Sequence, residues 1–217
     1  MATNRTPGRA ATTPRKGSRS TAGRPTDDWM RKRREILDVA AEVFFTSGFD
    51  RGTTKEIAAR VGMSQPSLYH YVGSKEDLMS EIARQVYRDF TQALDEALSG
   101  DHEPREQLRR VIHAFVATLV VNQHTFAVYW KEYRAIPAPV AREARAQERA
   151  FVERVERVVS AAQKQGVLSD KHSTRILSEG ILGMMSWVHW WFRPGESSAE
   201  EISAAFCDLV GLVDPND

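Results

Sequence analysis

Residues 53–78, TTKEIAARVGMSQPSLYHYVGSKEDL, predict two short helices joined by a tight glycine turn, followed by the start of a third. Thr53 and Glu56 have the Thr-x-x-Glu spacing of a capping box, in which two side chains satisfy backbone N–H groups at a helix start. Ile57, Ala58 and Val61 give that helix one small apolar face, and Gly62 supplies the backbone freedom of a sharp turn. Ser64 is placed to cap the next helix, with Pro66 in its first turn, where a missing N–H costs little. Leu68 is the chief core residue of that helix; Gln65, Ser67, Tyr69, His70 and Tyr71 make up the rest of its surface. A short helix that turns polar and aromatic groups outward is shaped for contact. In a helix-turn-helix the surface it meets is the DNA major groove.

Upstream, an amphipathic helix runs from Asp28 to about Ser47, with Ile36, Ala40, Val43 and Phe44 on one face. Gly48 ends it and Phe49 is placed to fold back on it. Phe44-Phe45, Gly48-Phe49, Thr53-Thr54, Ile57-Ala58, Gly62, Ser67-Leu68-Tyr69, Tyr71-Val72, Lys75-Glu76 and Leu78 stand at fixed spacing over about residues 31–80. This pattern resembles the TetR family of bacterial transcriptional regulators. The resemblance implies that Lys55, Gln65, Pro66, Ser67, Tyr69 and His70 face the major groove or its walls. It also implies that Thr54 and Lys75 meet phosphates.

The chain has 217 residues, enough for one or two domains with a full core. No apolar run approaches the ~18 residues of a membrane span. The single cysteine, Cys207, excludes a disulfide framework within the chain and points to a reducing, cytoplasmic setting. Net charge is only +1 but unevenly placed: residues 1–80 hold 14 Lys and Arg against 9 Asp and Glu, while the remainder holds 16 against 20. A basic front on an acidic body is expected where only the front meets a polyanion. Residues 1–26 carry six basic and no acidic residues among Pro, Gly, Ser and Thr, and cannot bury enough apolar surface to order themselves. They read as a solvated tail or as an arm that follows DNA phosphates. The expected organisation is a disordered basic tail over 1–27, a helix-turn-helix DNA-binding domain over 28–80, and a ligand-binding and dimerisation domain over 81–217.

The whole is expected to be all-α, a three-helix head joined to a helical-bundle body, about nine helices in total. A long helix begins after Ser74, with Leu78, Ile82, Val86, Phe90 and Leu94 forming a stripe that joins head to body. Further helices are predicted from Glu103-Pro104, from about Thr125 to Arg134, over Val140 to Gln165, over Asp170 to Phe192, and from a second capping box at Ser198 and Glu201. One recognition helix reads too few base pairs for a genome, so a homodimer on a palindromic operator is expected. Gly180 and Gly183 permit close helix approach, and the interface is expected to use Gly183, Leu209 and Val213. In the TetR family the last two long helices usually form the dimer interface, which the resemblance carries over to this chain.

The body carries two aromatic clusters, Phe126, Tyr129, Trp130 and Tyr133 on one helix and Trp187, Trp190, Trp191 and Phe192 on another. Four of the five tryptophans fall in them, more aromatic area than packing alone needs, and cavities between helices are lined in this way. The segments Tyr129–Arg134 and Trp187–Gly195 resemble TetR regulators of fatty-acid and steroid catabolism, which commonly respond to acyl-coenzyme A thioesters. An apolar effector is therefore expected against Phe126, Trp130, Tyr133, Trp187 and Trp191, with Arg134 or Arg193 for a coenzyme A head. No phosphate loop, nucleophile elbow or metal-ligand spacing is present, so no enzyme activity, cofactor or metal is expected. The alternative is a DNA-binding protein with no effector.

Overall fold

The computed structural model describes residues 27–212. The expected tail, all but Asp27, and Val213 lie outside the described residues. Those described are helical throughout: α1 (Asp27–Ser47), α2 (Thr54–Arg60), α3 (Gln65–Tyr69), α4 (Lys75–Ala97), α5 (Pro104–Val121), α6 (Gln123–Lys131), α7 (Ala138–Lys164), α8 (Thr174–Ser186), α9 (Val188–Trp191) and α10 (Ala199–Leu209). A 3-10 turn at Tyr133–Ala135 joins α6 to α7.

The head is α1 to α3 with the first turns of α4. Its core is Ile36, Ala40, Phe44, Ile57, Leu68, Leu78 and Met79, all wholly or almost wholly buried. Burial of each such large side chain contributes about 1.5–3 kcal/mol. Phe49 folds back edge-on to Phe44, ring centroids 5.2 Å apart, after Gly48 adopts φ +80°. Gly52 is needed for space: a Cβ there would stand 2.9 Å from the Phe44 ring.

The stripe on α4 then passes from head to body, burying Ile82, Val86, Phe90 and Leu94. In the body α5 is central, touching α4, α7, α8, α9 and α10. Asn122 ends α5 and starts α6 at an angle of 86°. No single described helix is long and apolar enough to cross a membrane.

The helix expected over Asp170 to Phe192 is shorter and broken. Ser173 caps its start, its hydroxyl accepting from the Ile176 N–H. At the far end the His189 Nδ1–H donates to the Ser186 carbonyl at 2.5 Å, the acceptor the Trp190 N–H would use in a continuous helix. Trp190 N–H turns instead to Trp187 O at 3.0 Å, and α9 follows as a single turn.

Candidate nucleic-acid interface and ligand cavity

The turn between α2 and α3 is a Schellman arrangement. Met63 N–H donates to Ala58 O at 2.9 Å and Gly62 N–H to Ala59 O at 3.2 Å. A Cβ on Gly62 would touch nothing, so its glycine serves the φ of +72° and not space. At the start of α2 the box is half formed: Thr53 Oγ1 accepts from Glu56 N–H, but the Glu56 carboxylate pairs with Arg60 at 2.7 Å. Ser64 caps α3 as expected, accepting from Ser67 N–H. A complete box stands at α4, where Asp77 accepts from the Ser74 N–H at 2.7 Å and the Ser74 hydroxyl accepts from Asp77 N–H. The bond from the Ser74 N–H foremost, and then one from its hydroxyl at 2.9 Å, hold the Asp77 carboxyl below its usual range.

A side-chain network fixes α3 against α2. Gln65 Nε2 donates to Thr54 Oγ1 at 2.9 Å, and the Tyr69 and Thr54 hydroxyls share a bond of 3.1 Å. Residues 65 and 69 are one turn apart, so both ends of the five-residue helix are tied to one buried threonine. The Tyr69 ring remains 47% exposed beside exposed Lys55, Pro66 and His70, and half-buried Ser67. Together they form an outward face of donors, acceptors and one aromatic edge, a chemistry suited to base edges and phosphates. Lys75 is committed differently: its ammonium lies 4.6 Å from the Phe49 ring centre and donates to Asp50 O at 3.0 Å.

Beside the Phe45–His124 ring contact, polar links join this head to the body at three places. Arg33 pairs with Glu81 at 2.8 Å, and Arg34 Nη2 reaches both Asp89, at 3.1 Å, and Asn122 Oδ1, at 3.1 Å. Burial pushes Glu81 upward, but bonds from Arg33 and Arg84 outweigh it and leave its carboxyl below the usual range. The third link is Phe49 N–H to Glu132 Oε1, 3.2 Å, from the loop before α2 to the end of α6.

Behind α6 lies a cavity of about 230 Å³ among α4, α5, α6, α7 and α8. Phe90, Phe115, Phe126, Tyr129, Trp130 and Phe151 line it, and the Tyr87, Tyr129 and Ser186 hydroxyls, half-buried Glu148 and exposed Glu179 add polar atoms. The Tyr87 and Tyr129 hydroxyls are 2.9 Å apart, and burial foremost raises both phenols. Burial first, and then the charge of Glu179, pushes the Glu148 carboxyl up. On the other side of Trp130 an open groove of about 790 Å³ runs past Phe45, His124, Lys131, Trp187, His189, Trp190 and Arg193. Trp187 and Trp190 stack there at 5.9 Å and 24°. A third depression, between α4, α5 and α10, is edged by Arg109 and Arg110, both already bonded, and by Cys207, whose thiol burial pushes up.

Residues 36–82 match the family described as bacterial regulatory proteins, tetR family, and residues 101–212 match the tetracyclin repressor-like C-terminal domain. The chain belongs to the TetR family. Members resembling it include the transcriptional repressor KstR2 of Rhodococcus jostii, 26% identical over 200 residues, 88% of this chain and 98% of that protein. The match to the regulator LuxR of Vibrio harveyi, 26% over 106 residues, spans about half of each chain. Among solved structures, the TetR regulator PfmR of Thermus thermophilus superposes with TM-score 0.73 at 27% identity, covering 81% of this chain and 96% of that one. AibR in complex with isovaleryl coenzyme A and operator DNA shares the fold at TM-score 0.70 and 24% identity, covering 83% of this chain and 98% of that one. The TetR assignment makes this a helix-turn-helix DNA-binding transcription regulator, not an enzyme.

Within the TetR head, seven of the eight residues expected at DNA reach the surface at least in part; Thr54 does not, being 8% exposed with its hydroxyl engaged. In the body, Phe126 and Trp130 line the cavity, and Trp130, Trp187 and Arg193 line the groove. Tyr133, Arg134 and Trp191 line neither. The 3-10 turn carries Tyr133 against Tyr129 and under Arg145, and leaves Arg134 in solvent. Sequence reasoning did not single out Lys131, nor the carboxylates Glu148 and Glu179, as site residues. A signal for Glu148 exists: it falls between Ala144 and Phe151 on the inward stripe of α7, where a charge is out of place.

Proposed function

We propose that this regulator is a cytoplasmic repressor that leaves its operator when a small apolar effector, with an acyl-coenzyme A thioester as first candidate, fills the body. The observation that carries this is Trp130, which lines both the aromatic cavity and the groove edged by Lys131 and Arg193. An acyl group in the first and a phosphate-bearing head along the second would occupy both at once, the cations serving the phosphates. An engineered cavity of about 150 Å³ holds benzene, so 230 Å³ suits a short or single-ring acyl group. The same fold holds isovaleryl coenzyme A in AibR, and the resemblance to the repressor KstR2 supports repression over activation.

The acting species is a homodimer on a palindromic operator. α8 turns Ile176, Gly180, Gly183 and Trp187 to the outside in one stripe, and Leu209 on α10 is exposed. A Cβ on Gly180 or Gly183 would meet nothing within 4 Å, so no packing inside this chain calls for glycine there. Each glycine costs a helix about 1 kcal/mol relative to alanine, which close approach of a second copy would offset.

A ligand releases DNA only if it prefers the conformation whose heads are wrongly spaced. A tenfold loss of operator affinity needs about 1.4 kcal/mol of such preference. The test is fluorescence anisotropy of an operator fragment titrated with a panel of acyl-coenzyme A thioesters, with tryptophan quenching read in parallel. If no thioester quenches while an uncharged lipophile both quenches and releases DNA, the coenzyme A part is wrong. If nothing binds, the chain is a constitutive DNA-binding protein.

A further inference from the structure

We propose that the inner cavity selects ligands carrying a hydrogen-bond donor, a hydroxyl or an ammonium, on a body about the size of one ring, with the donor held at the α7–α8 wall. This deepens the effector reading above and rests on it; applied to a thioester, it calls for a hydroxylated or amino acyl group.

The wall in question holds half-buried Glu148 from α7 and, at its exposed rim, Glu179 from α8, in a cavity lined mainly by aromatic and aliphatic side chains. An ionised carboxylate only accepts hydrogen bonds, and against apolar surroundings its lost hydration must be replaced by donors. The donors in reach are few. The ion pairs between α4 and α7 go to other partners, Arg84 to Glu143 and Arg154 to Asp95, and Arg145 lies over the Tyr133 ring. Tyr129 and Tyr87 bond to each other and Tyr87 also bonds the Glu148 carboxylate, which uses both of their protons. The cavity thus has more acceptors than donors, and a ligand bringing only carbonyl oxygens to this wall would meet oxygens. Seven aromatic rings around it favour a cation as well as an apolar body.

Three probes of equal heavy-atom number separate the possibilities: propylbenzene, 2-phenylethanol and 2-phenylethylamine. Dissociation constants come from tryptophan quenching of the full chain and its variants. With Glu148→Leu, the amine and the alcohol should each weaken at least tenfold while propylbenzene stays within twofold or tightens; Glu179→Leu, at the exposed rim, should weaken the amine by less. Glu148→Gln, the milder change, should weaken the amine and spare the alcohol, because an acceptor remains. The proposal is overturned if no donor probe binds saturably. It is also overturned if the amine is indifferent to both positions, or if propylbenzene weakens as much as the donors do. Operator release is scored separately. Donor probes that bind as expected without releasing DNA defeat the effector reading and leave this one standing. Thioesters that release DNA with no dependence on Glu148 or Glu179 do the reverse.

Discussion

The backbone N–H of Phe49 donates to the carboxylate of Glu132 at 3.2 Å, so the loop that enters the helix-turn-helix hangs on the end of the helix that lines the aromatic cavity. Two residues before Glu132 stands Trp130, at the cavity wall. One residue after Phe49 stands Asp50, whose carbonyl holds Lys75 at the start of α4. A shift of α6 on filling the cavity therefore has a direct mechanical route to the loop that positions α2 and to α4, without passing through the core of the body.

We predict that Glu132→Ala uncouples the two ends. The bond is charge-assisted and half-buried, so its loss should cost roughly 1 kcal/mol, a drop of about 2–4 °C in melting temperature for a chain of this size. Effector binding measured by quenching should stay within twofold, while the effector's power to displace DNA falls severalfold. An unchanged displacement curve in a destabilised variant would show that the signal takes another route.

Lys75 is expected from the sequence to serve phosphates, and the structure gives it a second task over Phe49 and Asp50. Lys75→Ala should lower stability of the free protein by roughly 0.5–1 kcal/mol. It should flatten the salt dependence of DNA binding by less than the full unit a free phosphate contact would remove. A full unit lost with no change in melting would return Lys75 to a purely phosphate role.

Gln65 and Tyr69 should act together. Both bond to Thr54 Oγ1, so Tyr69→Phe removes a hydroxyl that helps hold Gln65 in place. We expect Gln65→Ala to cost roughly 1–3 kcal/mol on operator DNA and little on random DNA. Tyr69→Phe should cost less, and the double variant less than the sum. Strict additivity in a double-mutant cycle would mean that the network does not reach the DNA.

Acid should loosen the start of α4. Asp77 and Glu81 both have carboxyls depressed in the fold, the first by Ser74, the second by Arg33 and Arg84 against the effect of burial. A depressed carboxyl stabilises above its unfolded pKa, about 4, and that contribution is lost as pH falls through the folded value. Asp77→Asn and Glu81→Gln should therefore be less stable than wild type at pH 7 and converge on it as pH falls below the unfolded value and through the depressed folded one. Parallel melting curves across that window would rule this out.

Gly183→Trp should give monomers by sedimentation, with weak operator binding, because the bulky ring replaces an exposed glycine on the outer stripe of α8, at the rim of the aromatic cavity. Gly180→Ala is the gentler test. It should raise helix stability by up to about 1 kcal/mol if the chain were monomeric, yet weaken the dimer if a partner helix approaches there. A more stable protein with unchanged association would place the interface elsewhere.

The head was legible in the sequence because its determinants are local. Thr53, Ser64 and Ser74 cap their helices within three residues of themselves, Gly62 makes its turn with its own backbone, and Ile57 and Leu68 fall where a short amphipathic helix must put them. The all-α class and the connecting helix α4 follow from periodicity in the same way. What the sequence could not decide was direction. Phe126, Tyr129, Trp130 and Tyr133 look alike along the chain, yet the first three reach one cavity and the fourth is carried away by a 3-10 turn. Lys75 and Glu132 look like surface charges until the fold brings Phe49 and Asp50 beside them from 25 or more residues away. Such contacts depend on how helices cross, which is set by the summed packing of many side chains and not by any one stretch, so only the tertiary structure could assign them.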